Sequence, residues 1–294
     1  MALEMIYYEG KEVYSPKYDL MFKAVFTSND LELLVSFLSS ILNIDIPEDG
    51  LTIRNSEISK KRKDGKLIFL DIYVTLKNGS HVNVEMQVNI EKDMSKRSLF
   101  YLSQMMTEQL DESGEYKEIC PTIAINILDF DYLDNGAAKY HSIFRMKDVE
   151  TGIEMPNSNS FELHFIELKK ASKYAKGSMR DLWLKFLSAK TEEEWKMLAD
   201  KSPIIKKAID KTIKMSADKD IRFALIAQDK IKRDRISSLA NAKREGIAEG
   251  VLKTAKAMAA EGIDCTVIAK VTELTIDEIE RLQFSEESVA ETSI

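Results

Sequence analysis

The chain has 294 residues, 44% of them hydrophobic, with 42 basic residues against 49 acidic ones and a formal net charge of −7. That length suffices for one large or two modest domains with a substantial core, and no uninterrupted apolar run approaches the roughly 18 residues that a membrane-spanning helix requires. The acidic balance excludes a generally basic chain that coats nucleic acid; the distant Cys120 and Cys265 exclude a disulfide framework; and the scattered His81, His141 and His164 match no zinc spacing, which leaves carboxylates for any metal.

In chain order, the N-terminal residues lack the basic start and apolar stretch of a secretory signal, so a cytoplasmic location is expected. Ser15-Pro16 reads as an N-cap with proline at the first helical position, opening a helix over YDLMFKAVF. Ser28-Asn29-Asp30 interrupts it and can cap a second helix, LELLVSFLSSILN, whose apolar spacing suits one buried face. A strand over Leu51 to Ser59 runs into the charged segment Lys60, Lys61, Arg62, Lys63 and Lys66. Two β-rich runs then flank Asn78-Gly79, a strong hairpin signal. Helical spacing of Leu99, Leu102, Met106 and Leu110 follows and stops at Gly114; PTIAINILDF is apolar enough for a strand covered on both faces. Further strands are expected at Tyr140 to Met146 and Phe161 to Leu168. Beyond residue 170 the texture turns helical, so a boundary is placed there, with an acidic tail over 285–294.

The hairpin carries the chemistry. Asp71 stands in an apolar run, where an unpaired carboxylate is costly to bury. Glu85 and Gln87 share one face of the partner strand, and Val84, Met86 and Val88 the other. A two-residue turn at Asn78-Gly79 would pair residues whose numbers sum to 157 and place Asp71 on the face away from Glu85. A three-residue turn, Lys77-Asn78-Gly79 with Gly79 left-handed, pairs numbers summing to 156 and sets Asp71 opposite Glu85. The second register is preferred, because it leaves Ile72, Val74, Val84 and Met86 for the core. Two carboxylates about 5 Å apart at Cβ repel unless a cation or proton lies between them. Magnesium or manganese suits oxygen ligands of this kind and would acidify a water for attack on a phosphodiester. The alternative is a solvent-exposed face in which Asp71 pairs with Lys66 or Arg97.

At these residues the chain resembles the PD-(D/E)xK nuclease superfamily, and within it the transposase-like branch of recombination-promoting nucleases. The likeness runs from Asp19, Phe22, Lys23 and Phe26 in YDLMFKAVF through DGKLIFLDIYV, VNVEMQ, Arg97 and Tyr101 in KRSLFYLSQM, PTIAINILDF and FELHFIELKK, over about residues 13 to 170. The resemblance implies an α/β, restriction-endonuclease-like mixed sheet flanked by helices, followed by an all-helical C-terminal region. It also implies a Mg2+-dependent (or Mn2+-dependent) DNA endonuclease linked to recombination, with Asp71, Glu85 and the Met86 backbone carbonyl as metal ligands. Gln87 takes the place of the superfamily's lysine; it can orient a water but cannot exchange a proton. Asp19 is an auxiliary acid or a partner of the helix dipole, Lys23 contacts phosphate or solvates its helix, Arg97 holds a phosphate or pairs with Glu85, and Tyr101, on the helical face of Arg97, reads as a packing residue rather than a catalytic one. A non-catalytic DNA-binding or oligomeric scaffold, or a nuclease acting on RNA, stays open beside this reading.

In residues 171–284 the expectation is DNA binding or oligomerisation. From Lys169 to Lys214 there are 13 basic residues against 6 acidic ones, although Trp183, Leu187 and Trp195 read as core. DKIKRDRISSLANAKREG suits a long exposed helix, and Ala242, Gly246 and Gly250 form a small-residue stripe that permits close approach of a second copy. CTVIAKVTELTIDEIERL reads as two short helices, the second capped by Thr275 with Glu278; its acidic residues favour protein contact over a DNA groove.

Overall fold

The computed structural model describes residues 3–28, 31–55, 57–58, 68–90, 93–110, 114–136 and 138–281. A hairpin that the sequence reading left out opens the chain. Strands β1 (Met5–Tyr8) and β2 (Lys11–Tyr14) pair antiparallel around Glu9 and Gly10, both at positive φ. The signal was there, in two short β-prone runs either side of Glu-Gly. This hairpin also moves the start of the next helix. Ser15 N–H donates to the Glu4 carbonyl, and Tyr18 N–H closes a turn onto Ser15, so Ser15 prolongs the hairpin instead of capping. Helix α1 therefore spans Asp19–Thr27 with Tyr18 as N-cap. Helix α2 (Glu32–Leu42) buries Leu33, Leu34, Phe37, Leu38 and Ile41, as its spacing predicts, but its N-cap is Leu31 and no side chain caps it. Asn29 and Asp30 lie outside the described residues.

The main sheet has six strands. These are β3 (Leu51–Ile53), β6 (Ile72–Leu76), β7 (His81–Gln87), β8 (Thr122–Leu128), β9 (His141–Phe144) and β10 (Phe161–Glu167), in the order β3-β6-β7-β8-β10-β9. The pairs β7–β8 and β8–β10 are parallel and the others antiparallel, so the sheet is mixed. Helix α3 (Met94–Thr107) links β7 to the parallel β8 and covers one face, packing Met94 and Leu102 on Ala124, Leu163 and Phe165. The long run before the hairpin turn is two strands rather than one. A separate β5 (Ile68–Phe69) pairs with β4 (Glu57–Ile58), and the chain bends at Asp71 before β6 begins.

On the other face, Ile72, Val74, Val84, Met86, Ile125 and Ile127 share one core with Phe22, Phe26 and Phe37 of α1 and α2 and with Trp183, Phe186 and Trp195. Those last three belong to α5 (Met179–Ser188) and α6 (Glu192–Lys201), which follow the short α4 (Leu168–Tyr174) and precede α7 (Pro203–Ala217). Residue 170 thus marks a change of secondary structure within one core. The division between compact units falls at 226/227, inside α8 (Lys219–Ala260). The fully buried Trp183 ring lies 5.4 Å from that of Phe26 and 5.8 Å from that of Phe37. Trp183→Ala is expected to cost about 3–5 kcal/mol in urea unfolding followed by circular dichroism. A chain ending at residue 170 is expected not to fold, because the apolar face of α2 would lose its cover; a cooperative transition in that truncated chain would refute the shared core.

The second unit contains the rest of α8, α9 (Cys265–Thr272) and a helical stretch at residues 276–281, joined through buried Ala255, Ile268 and Ile279. Thr275 and Glu278 cap each other reciprocally, as their spacing predicts. Apart from the helix's own backbone and the adjacent residues, no described atom lies within 4 Å of a Cβ built on Gly246 or Gly250. The tail over 285–294 is outside the described residues.

Candidate active site

The β6–β7 turn decides what faces what. The two strands pair Ile72 with Val84, Tyr73 with Asn83, Val74 with Val82 and Thr75 with His81, so the numbers sum to 156. Leu76 and Ser80 close a three-residue turn in which Gly79 has φ +86°, and a Cβ there would stand 2.7 Å from Cys120 Sγ. The left-handed conformation is what requires glycine there. With this register Ile72, Val74, Val82, Val84 and Met86 enter the core, while Asn83, Glu85 and Gln87 point to the opposite face.

Asp71 and Glu85 converge at the start of β6. The Asp71 N–H donates to Glu85 Oε1 at 3.2 Å, and Met86 N–H donates to Asp71 Oδ2 at 3.0 Å. Glu85 is 5% exposed; Asn83 donates to its Oε1 at 3.1 Å and Gln87 Nε2 to its Oε2 at 3.2 Å. Burial first, then the negative charges of Glu85 and Asp19, pushes the Asp71 carboxyl up to about 8. Burial raises the Glu85 carboxyl as well, against the hydrogen bonds from Asn83 and the Asp71 N–H and the positive charges of Arg97 and Lys23. Among the described residues, the positive charges that act on the pair are those of Lys23 and Arg97.

The remaining sequence-predicted residues come from two helices. From α1, Lys23 Nζ lies 2.9 Å from Asp19 Oδ1 and 3.5 Å from Asp71 Oδ1. Burial works against its charge, yet the bond to Asp19 and the charges of Asp19 and Asp71 hold the ammonium above its ordinary pKa. At 3.5 Å, on a side chain one-third exposed and shared with Asp19, Lys23 does not saturate Asp71. From α3, Arg97 places its guanidinium 5.7 Å from the ring centre of Tyr101, and Tyr101 packs on Leu70, Tyr73 and Met105. All seven predicted side chains thus lie on elements that meet around Asp71 and Glu85, with Tyr101 set behind Arg97. Lys60, Lys61, Arg62, Lys63 and Lys66 lie outside the described residues.

A hard divalent cation fits this donor set. Two buried carboxylates with raised proton affinity gain from a neighbouring double positive charge, and magnesium characteristically takes one or two protein carboxylates with water and substrate phosphate. Among the described residues no group of three or more His, Cys, Asp or Glu is placed to hold a metal.

Several supporting residues escaped the sequence reading. Asn83, which donates to Glu85, sits two before it in the same alternation, and that period was its signal. Lys17 is buried with Nζ 2.8 Å from both Glu4 and Asp129, and the Asp129 N–H donates to the Gln87 carbonyl, anchoring the end of β7. No local pattern announces that contact, because its partners lie far apart in sequence. Nor are the histidines all isolated: His141 Nε2 and His164 Nδ1 lie 3.1 Å apart, and His164 Nε2 bonds Glu162. Burial first, then the charges of His164 and Arg180, pushes the His141 imidazole down to about 3.

A family model described as PD-(D/E)XK nuclease family transposase matches residues 16–242, more than half of the chain. Neither the curated proteins nor the solved structures yield a match.

Proposed function

We propose that this chain, which belongs to the PD-(D/E)XK nuclease family transposases, is a magnesium- or manganese-dependent endonuclease that hydrolyses DNA phosphodiester bonds in the cytoplasm, in the service of recombination. The observation that carries the reading is the convergence of Asp71 and Glu85, two carboxylates whose burial holds their proton affinity high. Asp71 and Glu85 would hold the ion, with the Met86 carbonyl as a third ligand. When bound, the ion supplies an acidified water and offsets charge developing on the phosphate. Gln87 orients the attacking water through its side-chain amide and, carrying no exchangeable charge, leaves proton removal to other groups. Lys23 and Arg97 contact the phosphate oxygens, Asp19 steers Lys23, and Tyr101 braces Arg97. The basic surface of α4–α7 and the long α8 serve DNA contact or pairing with a second copy.

One observation favours a second reading. The Gln87 amide already donates to Glu85, and no lysine stands beside it on β7, which suits a DNA-binding scaffold without turnover. Supercoiled plasmid separates the two. Full-length protein with Mg2+ or Mn2+ is expected to nick and linearise it, and excess EDTA to stop the reaction. Intact plasmid in every metal, with retained gel retardation, would establish the scaffold; faster cleavage of a matched RNA would move the substrate class.

A further inference from the structure

The groups that meet the carboxylate pair are of two kinds. On Glu85, Oε1 accepts from the Asp71 N–H and from Asn83, and Oε2 accepts from Gln87. On Asp71, Oδ2 accepts the Met86 N–H at 3.0 Å. All four donors are neutral, so they hold the two carboxylates in shape without offsetting their charge. Lys23 is different. Its Nζ stands 3.5 Å from Oδ1, the Asp71 oxygen that Met86 does not bond, and it brings a full positive charge there.

Geometry bounds how near that ammonium and a metal ion on the same oxygen would come. Magnesium lies about 2.1 Å from an oxygen ligand and Nζ lies 3.5 Å from Oδ1, so the two cations would stand no more than about 5.6 Å apart. At that separation the repulsion between a double and a single positive charge, even at the dielectric constant of bulk water, corresponds to about a tenfold loss of affinity. The ammonium has another partner at hand. Asp19, one turn earlier on α1, holds it at 2.9 Å, and both side chains are one-third or more exposed. Lys23 can therefore leave Asp71 without disturbing Phe22, Val25 and Phe26, which anchor α1 in the core.

We propose that Lys23 competes with the divalent ion for Asp71 Oδ1 and yields by retreating onto Asp19, so that the wild-type site binds the ion more weakly than its two carboxylates alone allow. This rests on the metal-binding reading of the pair, which Asp71→Asn tests in the same experiment. The signature is a gain on removal. A residue that only braced the site would, when replaced, weaken ion binding or leave it unchanged.

Isothermal titration calorimetry with Mg2+ alone measures the affinity, on full-length protein without nucleic acid at pH 9, above the raised Asp71 carboxyl. Lys23→Met, an uncharged side chain of good helix propensity, is expected to bind Mg2+ about tenfold more tightly than the wild type. Lys23→Arg keeps the charge and should stay within threefold of the wild type. Lys196→Met removes a charge from α6, where Lys196 pairs with Glu192, and should change the affinity less than twofold. Asp71→Asn should abolish binding in both the wild-type and the Lys23→Met backgrounds. Circular dichroism verifies each fold.

Binding detectable only in Lys23→Met would be the same result in its strongest form. Unchanged or weaker binding in Lys23→Met, or equal tightening in Lys23→Arg or Lys196→Met, would overturn the proposal and leave the carboxylate pair standing as an ion site. No Mg2+ binding by any form, or binding that survives Asp71→Asn, would retire the metal-binding reading and the proposal together.

Discussion

Asp71→Asn and Glu85→Gln are each expected to lower the metal-dependent rate of phosphodiester cleavage by about 10³-fold or more while keeping the fold. The size follows from what is lost. Under the proposed mechanism either change would remove half of the carboxylate charge that would hold the ion, and with the ion would go both the acidified water and the stabilisation of charge on the phosphate. The fold survives because both replacements keep the side chain's shape, and the core residues of the hairpin face the other side of the sheet. Asn83→Ala should show a smaller loss, about 10- to 100-fold, since it removes a hydrogen bond to Glu85 rather than a ligand. Single-turnover nicking at saturating Mg2+ measures all three, with circular dichroism checking the fold. Full activity in Asp71→Asn would remove Asp71 from the mechanism.

Stability should reveal the same pair without any substrate. In EDTA, the wild-type protein is expected to lose stability as pH rises from about 4 to about 8. The ordinary carboxyl value of Asp71 is 3.8, and the fold raises it to about 8. Between those values the folded state keeps a proton that the unfolded chain has released, so unfolding gains with each step in pH. The contribution is complete below pH 4 and lost once the folded carboxyl ionises; the raised Glu85 acts in the same direction. Asp71→Asn cannot ionise and should flatten the profile. At pH 8 it is expected to exceed the wild type by on the order of a few kcal/mol. Adding Mg2+ at pH 8 should restore the wild type selectively and release protons, as the proposed binding of the ion by the ionised pair requires. Urea titrations from pH 4 to 9, read by the fluorescence of Trp183 and Trp195, test this; parallel profiles for wild type and Asp71→Asn would show that the carboxylates are not held at the cost implied by their burial.

Such effects depend on features that were legible from the residues to different degrees. The alternation of Ile72, Val74 and Val84, Met86 against Asp71, Glu85 and Gln87 admits one register that buries the apolar set, and Lys77-Asn78-Gly79 can make the turn it needs. Burial is a strong local selector, since a slip by one residue would turn every side chain of the strand to the wrong face. For the same reason the apolar stripe of α2 and the reciprocal cap at Thr275 could be read directly.

Other features required partners distant along the chain. Ser15-Pro16 has the composition of a helix start, but the Glu4 carbonyl claims the Ser15 N–H and the helix begins at Asp19. Residue 170 looks like a domain edge in composition, yet Trp183 packs against Phe26 and Phe37 and draws α5 into the sheet's core. By itself, then, the sequence determined the periodic elements, the hairpin register and the chemical class of the pair, because these follow from rules acting over a few residues. Only the tertiary structure decided the extent of the core, the depth at which Asp71 and Glu85 are buried, and the approach of Lys23 and Arg97 from separate helices. Those quantities depend on how much water the packed elements exclude, and no single segment carries that information.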